Sequence, residues 1–150
     1  MIENLNIREY KVSDKNQLLE ILKLNIPEYF AESELADLEA YLENNVEKYF
    51  VAEIDSQLVG GGGINFEKEL KTAKISWDFI HPLQQGRGIG FNLLKHRLQI
   101  LNAIEGIENI KVRTSQLAYK FYEKSGFVLQ EVIPDYWAKG FDLYVMKYEK

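Results

Sequence analysis

The sequence has no cysteine in its 150 residues. This absence excludes disulfide bonds, zinc sites built from thiolates and a cysteine nucleophile. Long apolar runs are missing too, because no stretch approaches the roughly eighteen residues that a membrane helix needs. The first four residues, Met1-Ile2-Glu3-Asn4, do not resemble the start of a secretory signal peptide. We therefore expect a cytoplasmic protein with no membrane partner.

Basic residues are in the minority, since 18 Lys and Arg stand against 23 Asp and Glu, and the formal net charge is −5. This balance argues against a nucleic-acid partner, which requires a basic face. The hydrophobic share of 46% and the charged share of 27% are typical of a globular protein. The length suits one domain over residues 1–150.

Hydrophobic periodicity predicts the element order β-α-α-β-β-β-α-β-α-β-β, which is a mixed α/β fold. The predicted helices are one that begins at Asp14 and ends at Pro27, one capped by Ser33, Gly88–Ile104 and Gln116–Lys124. The predicted strands are Leu5–Val12, Tyr49–Ile54, Leu58–Phe66, Thr72–Ile80, Ile107–Arg113, Phe127–Ile133 and Phe141–Lys147. The second, third and fourth strands form an antiparallel meander. A glycine run, Gly60–Gly63, lies inside one of them and indicates a bulge or a close backbone approach.

The most informative segment is Ile80–Gly90, where a predicted strand leads into a predicted helix. Three glycines in five residues, Gly86, Gly88 and Gly90, allow backbone amides to approach a ligand closely. The helix that follows adds unpaired N–H groups and the positive end of its dipole. Together these features predict a binding site for a phosphate or pyrophosphate group.

Two common phosphate-binding motifs do not fit this segment. A Walker loop requires the pattern G-x-x-x-x-G-K-[ST], and neither its spacing nor its lysine is present. A dinucleotide fingerprint requires a third glycine where Leu93 stands. The antiparallel meander upstream also argues against a parallel dinucleotide-binding fold.

What fits is Gln85-x-x-Gly88-x-Gly90, which resembles the acetyl-CoA signature of the GNAT family of N-acetyltransferases. A second segment, Ala118–Phe127, is similar to the family pattern A-x-x-F-Y-x-K-x-G-F. The predicted element order is also that of the family, so the resemblance covers almost the whole chain.

The resemblance implies a GNAT acyl-CoA N-acyltransferase fold with acetyl-CoA as the acyl donor. It implies that backbone amides hold the CoA pyrophosphate, those of Gln85, Gly86, Arg87, Gly88, Ile89 and Gly90. It further implies that the strand end at Phe79 and Ile80 separates from its neighbour and pairs with the pantetheine arm. Tyr122 matches the tyrosine that points at the CoA sulfur. Ser115 stands where the family often has an asparagine that binds pantetheine.

The chemistry of the reaction requires an acid and a base. An alkyl amine titrates near ~10 and must lose a proton before it attacks a thioester, and Tyr122 is the candidate acid for the leaving thiolate. Asp78 and Glu28 are the candidate bases, chosen by location, and both are equally well explained as ordinary surface carboxylates. Lys74 occupies the position at which some family members carry a glutamate base. The two histidines, His81 and His96, are better explained as structural.

Four aromatic residues are predicted in two loops that flank the acceptor cleft: Tyr29, Phe30, Tyr136 and Trp137. They form either a cage for an ammonium group or an apolar side chain, or hydrophobic lids on the core.

We interpret the chain as an enzyme that transfers an acetyl group directly to a primary amine in a ternary complex, without a metal. The amine belongs to a small molecule or to a peptide, and a homodimer stays open. One alternative is a CoA-binding module without turnover. A nucleotide-binding domain of another kind is a weaker alternative, because the lysine and the third glycine are missing.

Overall fold

The computed structural model describes residues 4–67, 69 and 71–149. The strands are β1 (Leu5–Glu9), β2 (Lys48–Ile54), β3 (Gln57–Glu67), β4 (Thr72–Ile80), β5 (Asn109–Thr114), β6 (Phe127–Ala138) and β7 (Phe141–Tyr148). The helices are α1 (Lys15–Lys23), α2 (Glu34–Asn44), α3 (Ile89–Asn102) and α4 (Tyr119–Lys124). The mixed α/β element order is confirmed. In this part of the chain, no helix is long and apolar enough to cross a membrane.

The strands form a seven-stranded sheet in the order β1-β2-β3-β4-β5-β7-β6. All neighbouring pairs are antiparallel except β4 and β5, whose parallel pairing requires the crossover through α3. That pairing runs only from Thr72 opposite Asn109 to Ile75 opposite Val112.

Helices cover both faces of the sheet. On one face, α3 and α4 pack against a core that contains Ile75, Leu94, Val112, Tyr122 and Phe127. On the other face, α1 and α2 pack against a second core. This second core includes residues such as Leu18, Leu38, Tyr49, Val51 and Phe79. We call these two sides the α3 face and the α1 face.

Asp14 precedes α1 as the N-cap residue, but its side chain does not cap the helix. Its side chain makes no cap hydrogen bond to α1, but accepts one from the Lys11 N–H at 2.8 Å and pairs with Arg8 at 2.9 Å. The guanidinium of Arg8 lowers the pKa of the Asp14 carboxyl. At α2, Ser33 makes no side-chain cap either, and the Glu34 carboxylate instead accepts a hydrogen bond from the Ala31 N–H at 2.7 Å.

The predicted loop over 134–140 is also wrong, because β6 continues through it to Ala138 and only Lys139 and Gly140 turn. Pro134 is tolerated there since β6 is an edge strand and its missing N–H breaks no ladder. Asp135, at φ +55°, closes the turn by accepting a hydrogen bond from the Gly140 N–H at 2.7 Å. The predicted helix Gln116–Lys124 begins later, at Tyr119.

The prediction of a bulge or close approach at the Gly60–Gly63 run is confirmed. Between the pairs Gly61–Phe79 and Gly63–Ser76, β4 carries one extra residue, and Trp77 there has φ +50°. A Cβ on Gly61 or Gly63 would come within 2.8 or 2.6 Å of the Tyr49 ring. These two glycines therefore allow the Tyr49 ring to approach the β3 backbone closely from the α1 face.

Candidate active site

A cleft of about 910 Å³ opens where β4 and β5 separate. Pairing ends at Ile75 and Val112, yet β4 continues to Ile80 and β5 to Thr114. The separation expected at Phe79 and Ile80 is thus present in the fold. The cleft extends from the glycine loop at the end of β4 to side chains on the α1 face.

The glycine loop presents backbone donors to one end of this cleft. Gly86 and Gly88 have φ of +79° and +87°, a conformation that glycine adopts without strain. Among the described residues, nothing accepts a hydrogen bond from the amides of Gly86, Arg87 or Gly88. The amide of Gln85 is used within the turn, where it donates to the Pro82 carbonyl at 3.5 Å. Because α3 starts at Ile89, its first-turn N–H groups extend this row of donors.

A buried amide side chain, Asn25, holds the loop against the sheet. Its Nδ2 donates to the Ile21 carbonyl at 3.0 Å and to the Ile80 carbonyl at 3.1 Å, and its Oδ1 accepts from Gln85 Nε2 at 3.4 Å. Sequence reasoning missed Asn25. The only signal was a polar residue between Leu24 and Ile26 at the end of a helix.

Tyr122 and Asp78 meet at the centre of the cleft. The Tyr122 hydroxyl donates to Asp78 Oδ2 at 2.5 Å, and both residues line the cleft. Tyr122 is 4% exposed. Burial, followed by the charge of Asp78, raises the pKa of Tyr122 well above its ordinary value. The phenol therefore stays protonated across the neutral and mildly alkaline range.

The other oxygen of Asp78 faces the buried side chain of Arg97, which is 1% exposed and also lines the cleft. Arg97 Nη1 lies 2.6 Å from Asp78 Oδ1 and directs its hydrogen bond to the Gly63 carbonyl at 3.0 Å. Asp78 Oδ1 thus has no hydrogen bond among the described residues and is held by charge. Burial lowers the pKa of Arg97 and the charge of Asp78 raises it, and the net change is upward, so the guanidinium stays charged.

Gly62 makes room for this pair, because a Cβ there would overlap the side chains of Asp78 and Arg97. Sequence reasoning missed Arg97 as well. A signal was present, since Arg97 follows Leu93 by four positions and Leu94 by three, which places it on the apolar stripe of α3.

The predicted aromatic residues do not form one cage. Phe30 lies at 6.4 Å from Trp77, with the rings nearly parallel, and meets Phe79 edge-on. Tyr136 and Trp137 lie on β6, where the guanidinium of Arg113 sits 5.0 Å and 5.4 Å from their ring centres. The guanidinium of Arg113 therefore already occupies the cation–π position beside Tyr136 and Trp137.

Three of the four predicted aromatic residues line the cleft. Tyr29, Phe30 and Trp137 line the cleft, whereas Tyr136 does not line it and is 48% exposed. Trp137 Nε1 donates to the Thr114 carbonyl at 3.1 Å, which fixes the indole near the end of β5.

The remaining candidate residues differ in their distance from the cleft and in their contacts. Ser115 lines the cleft, but its hydroxyl accepts a hydrogen bond from the Leu117 N–H at 3.2 Å. Glu28 is exposed and does not line the cleft. His81 Nδ1 accepts a hydrogen bond from the Leu83 N–H at 3.1 Å, and His96 packs edge-on against Phe50. Across the described residues, no group of three acidic, histidine or cysteine side chains is arranged to hold a metal.

Comparison with known proteins shows the same fold and family. The family model for the acetyltransferase (GNAT) domain matches residues 15–150. An N-alpha-acetyltransferase of Sulfurisphaera tokodaii is 32% identical over 157 positions, covering 93% of this chain and 90% of the relative.

Solved structures share the fold at lower identity. A GNAT-family structure from Desulfovibrio desulfuricans has a TM-score of 0.81 at 17% identity, covering 97% of this chain and 98% of that one. The structure of yncA from Salmonella typhimurium with its cofactor acetyl-CoA has a TM-score of 0.72 at 19% identity, covering 98% and 94%. Since the family model spans the cleft, the glycine loop and the Tyr122 helix, the chain belongs to the GNAT family of acetyl-CoA-dependent N-acetyltransferases.

Proposed function

We propose that the chain is one catalytic domain that transfers the acetyl group of acetyl-CoA directly to a primary amine. The hydrogen bond between Tyr122 and Asp78, at the point where β4 and β5 separate, is the observation that carries this proposal. It joins a proton donor and a proton acceptor in one cleft. An amine acceptor is suggested by the Sulfurisphaera tokodaii relative, an N-alpha-acetyltransferase, so the α-amine of a peptide is the first acceptor to test.

The glycine loop fits the pyrophosphate of CoA. The free amides of Gly86, Arg87 and Gly88 and the first turn of α3 supply donors and the positive end of a helix dipole. Among the residues that the structure describes, no side chain fills the space beside Gly86, and only the tip of Asn92 reaches within 4.0 Å of a Cβ at Gly88. The Salmonella typhimurium neighbour, whose structure holds acetyl-CoA, supports the same ligand.

The free edge of β4 beyond Ile75 fits the pantetheine arm, because β5 does not use its backbone groups. When bound, acetyl-CoA supplies the activated thioester. Ser115 lies at the opposite wall of the cleft, with its hydroxyl oriented by the Leu117 N–H.

Tyr122 alone is a poor acid for this reaction. Its pKa is raised above the ordinary phenol value, whereas a thiol titrates near ~8.5, so a phenol gives its proton to a thiolate only at a cost. The hydrogen bond to Asp78 removes this difficulty if the carboxylate returns a proton to the phenol.

We infer a relay of one proton. Asp78 Oδ2 accepts a proton from the amine, directly or through water, and Tyr122 Oη gives its proton to the sulfur that leaves. The proton on Asp78 then passes to Tyr122 Oη along their hydrogen bond. The amine loses one proton, the sulfur gains one, and both residues return to their starting states. Arg97 Nη1 lies 2.6 Å from Asp78 Oδ1 and opposes the carboxylate with a positive charge.

The experiment is a thiol-release assay with acetyl-CoA and a panel of peptides, polyamines and amino acids. Tyr122→Phe keeps the ring and removes the hydroxyl, so we expect kcat to fall on the order of 10²-fold with CoA affinity nearly intact. Tyr119→Phe is the matched control, since Tyr119 lies on the same helix and does not line the cleft.

An unchanged kcat in Tyr122→Phe, measured where chemistry limits the rate, would contradict the relay. Binding of CoA without thiol release from any amine would support the module without turnover. Ligand binding is measured as a rise in the thermal midpoint.

A further inference from the structure

Three lysines stand side by side on the sheet. Lys74 on β4 is the register partner of Lys111 on β5, and Lys111 is the partner of Lys147 on β7. Register partners on neighbouring strands project from the same face, with Cβ atoms about 5 Å apart. Like charges in this position destabilise a sheet. A functional role for these lysines would explain why the sheet keeps this unfavourable arrangement of charge.

The row lies on the α1 face. Its strand neighbours Ile75, Val112 and Met146 are buried in the core of the α3 face, and alternate residues of a strand point in opposite directions. The core beneath α1 and α2 draws its sheet residues from β2, β3 and β4. The α1 face of β5 and β7 is therefore outside that core.

The charge of the row is only partly compensated. Lys74 pairs with Glu67 at 2.8 Å. The pKa of Glu67 is lowered first by Lys74 and further by the charges of Lys111 and Arg113. Within the described ranges, no carboxylate forms an ion pair with Lys111, Lys147 or Arg113. This is an accumulation of positive charge in a protein whose net charge is −5.

The row continues into the part of the cleft on the α1 face, which we call the acceptor side. Lys74 and Arg113 line the cleft, and Arg113 follows Lys111 by two positions on the same face of β5. Lys74 precedes Asp78 by four residues, one of them bulged, so their Cα atoms are about three strand steps, or roughly 10 Å, apart along β4. Asp78 points to the α3 face, where it meets Tyr122 and Arg97, and the cleft between β4 and β5 connects it to Lys74.

We propose that Lys74, Lys111 and Lys147, with Arg113, form an acceptor subsite for anionic groups, and that the acceptor is a peptide with an acidic residue near its reacting N-terminus. An extended peptide advances about 3.4 Å per residue, so the acidic side chain belongs near the third or fourth residue. A free amino acid is too short to span this distance. The proposal rests on the proposed acetyl transfer and names its substrate class.

The proposed acetyl-CoA site does not explain the lysine row. The glycine loop follows the carboxyl end of β4, whereas Lys74 and Lys111 lie on the other side of the last β4–β5 pair. A role in holding CoA phosphate would make the affinity for CoA depend on these lysines. The experiment measures that affinity separately.

The test compares two peptides that differ only by Glu or Gln at the third residue, with acetyl-CoA saturating. For the unmodified protein, we expect the Glu peptide to have the lower KM, by roughly five- to tenfold, and a similar kcat. Lys74→Gln/Lys111→Gln/Lys147→Gln should remove this preference, because each half-buried charge contributes about a twofold factor. The affinity for CoA should stay unchanged, because the row lies away from the glycine loop. High salt should weaken the preference, since it screens exposed charges.

The matched control is Lys95→Gln/Lys120→Gln/Lys124→Gln. It makes the same change in net charge on exposed lysines of α3 and α4. This variant should keep the preference for the Glu peptide. Loss of the preference in both triple variants would assign it to net charge and overturn the subsite.

Other outcomes also decide the proposal. Thiol release with equal KM for the two peptides would overturn the subsite while acetyl transfer stands. A loss of CoA affinity in the first triple variant would assign the row to the donor. If no amine releases thiol, acetyl transfer fails, and fluorescence anisotropy of the labelled peptides in the presence of CoA still tests the subsite. Equal binding of the Glu and Gln peptides would then overturn it.

Discussion

The two sides of the cleft are built in different ways. On the donor side, the glycine loop offers backbone amides, and the half-buried Asp78 lies between the buried side chains of Tyr122 and Arg97. On the acceptor side, exposed or half-buried charges project from separate strands, and the lysine row repels itself. Under the proposed function, CoA is held by backbone amides, which a side-chain substitution does not remove, whereas the acceptor is recognised by side chains that single substitutions can replace.

The largest expected effect comes from breaking the buried pair on the donor side. Arg97→Met leaves the Asp78 carboxylate without its cation, so we expect a loss of about 3–5 kcal/mol in the free energy of unfolding. Lys95 lies at an exposed position of the same helix, so Lys95→Met should change the free energy of unfolding by no more than about 0.5 kcal/mol. Urea unfolding measures both. The double variant Arg97→Met/Asp78→Asn should recover part of the loss, and strict additivity would mean that the two charges are not coupled.

The second prediction concerns the backbone cradle. Gly88 has φ +87°, so Gly88→Val strains the loop and places a side chain where the pyrophosphate is proposed to bind. We expect the affinity for CoA to fall at least ~10²-fold, or about 2.7 kcal/mol, by calorimetric titration.

Gly106→Val is the control for that change. Gly106 has φ +90°, no described residue lies within 4 Å of a Cβ built there, and Gly106 does not line the cleft. The same backbone strain should therefore leave CoA binding intact. Equal losses of affinity in both variants would indicate a general effect of strain, and unchanged affinity in Gly88→Val would move the donor site elsewhere.

The same contrast explains which parts of the site were predictable from sequence. The glycine loop and the Tyr122 segment are local patterns, so they could be recognised without a fold. Arg97 was missed because a helical arginine is usually exposed, and its buried position depends on Gly62 and Asp78, which are distant in sequence. The lysine row exists only through strand register, which no local pattern gives. The error over 134–138 arose because Pro134 indicates a loop, whereas an edge strand tolerates a proline. Gly140 does lie in the turn.

A third prediction uses pH to compare tyrosines across the sheet. Burial raises the pKa of Tyr41, on the acceptor side, to about 12, and raises those of Tyr49 and Tyr122 well above the ordinary value. The unfolded chain loses these protons first, near pH ~10. Stability is therefore fully present below that pH and is lost as pH rises toward the folded pKa values, by up to about 1.4 kcal/mol per pH unit for each tyrosine.

Urea unfolding between neutral and strongly alkaline pH measures this slope. Tyr41→Phe should make it shallower by the contribution of one tyrosine, and so should Tyr122→Phe. Tyr136→Phe is the control, because Tyr136 is 48% exposed and its phenol is not buried. A slope that is the same in all the variants would mean that the buried phenols do not cause the alkaline loss.

The smallest expected effect is a gain in stability from removing one lysine of the row on the acceptor side. Lys111 lies between Lys74 and Lys147, so Lys111→Gln removes two repulsive cross-strand contacts at once. We expect the free energy of unfolding to rise by a few tenths of a kcal/mol, most clearly at low salt, where repulsion is least screened. The same variant should raise KM for the acidic peptide, because it removes the central charge of the row. Lys95→Gln should change neither quantity. If the three lysines bind the acidic peptide despite repelling one another, Lys111→Gln should be more stable and should bind that peptide less tightly. A destabilised Lys111→Gln would mean instead that Lys111 supports the sheet, which would remove the reason to expect an anion there.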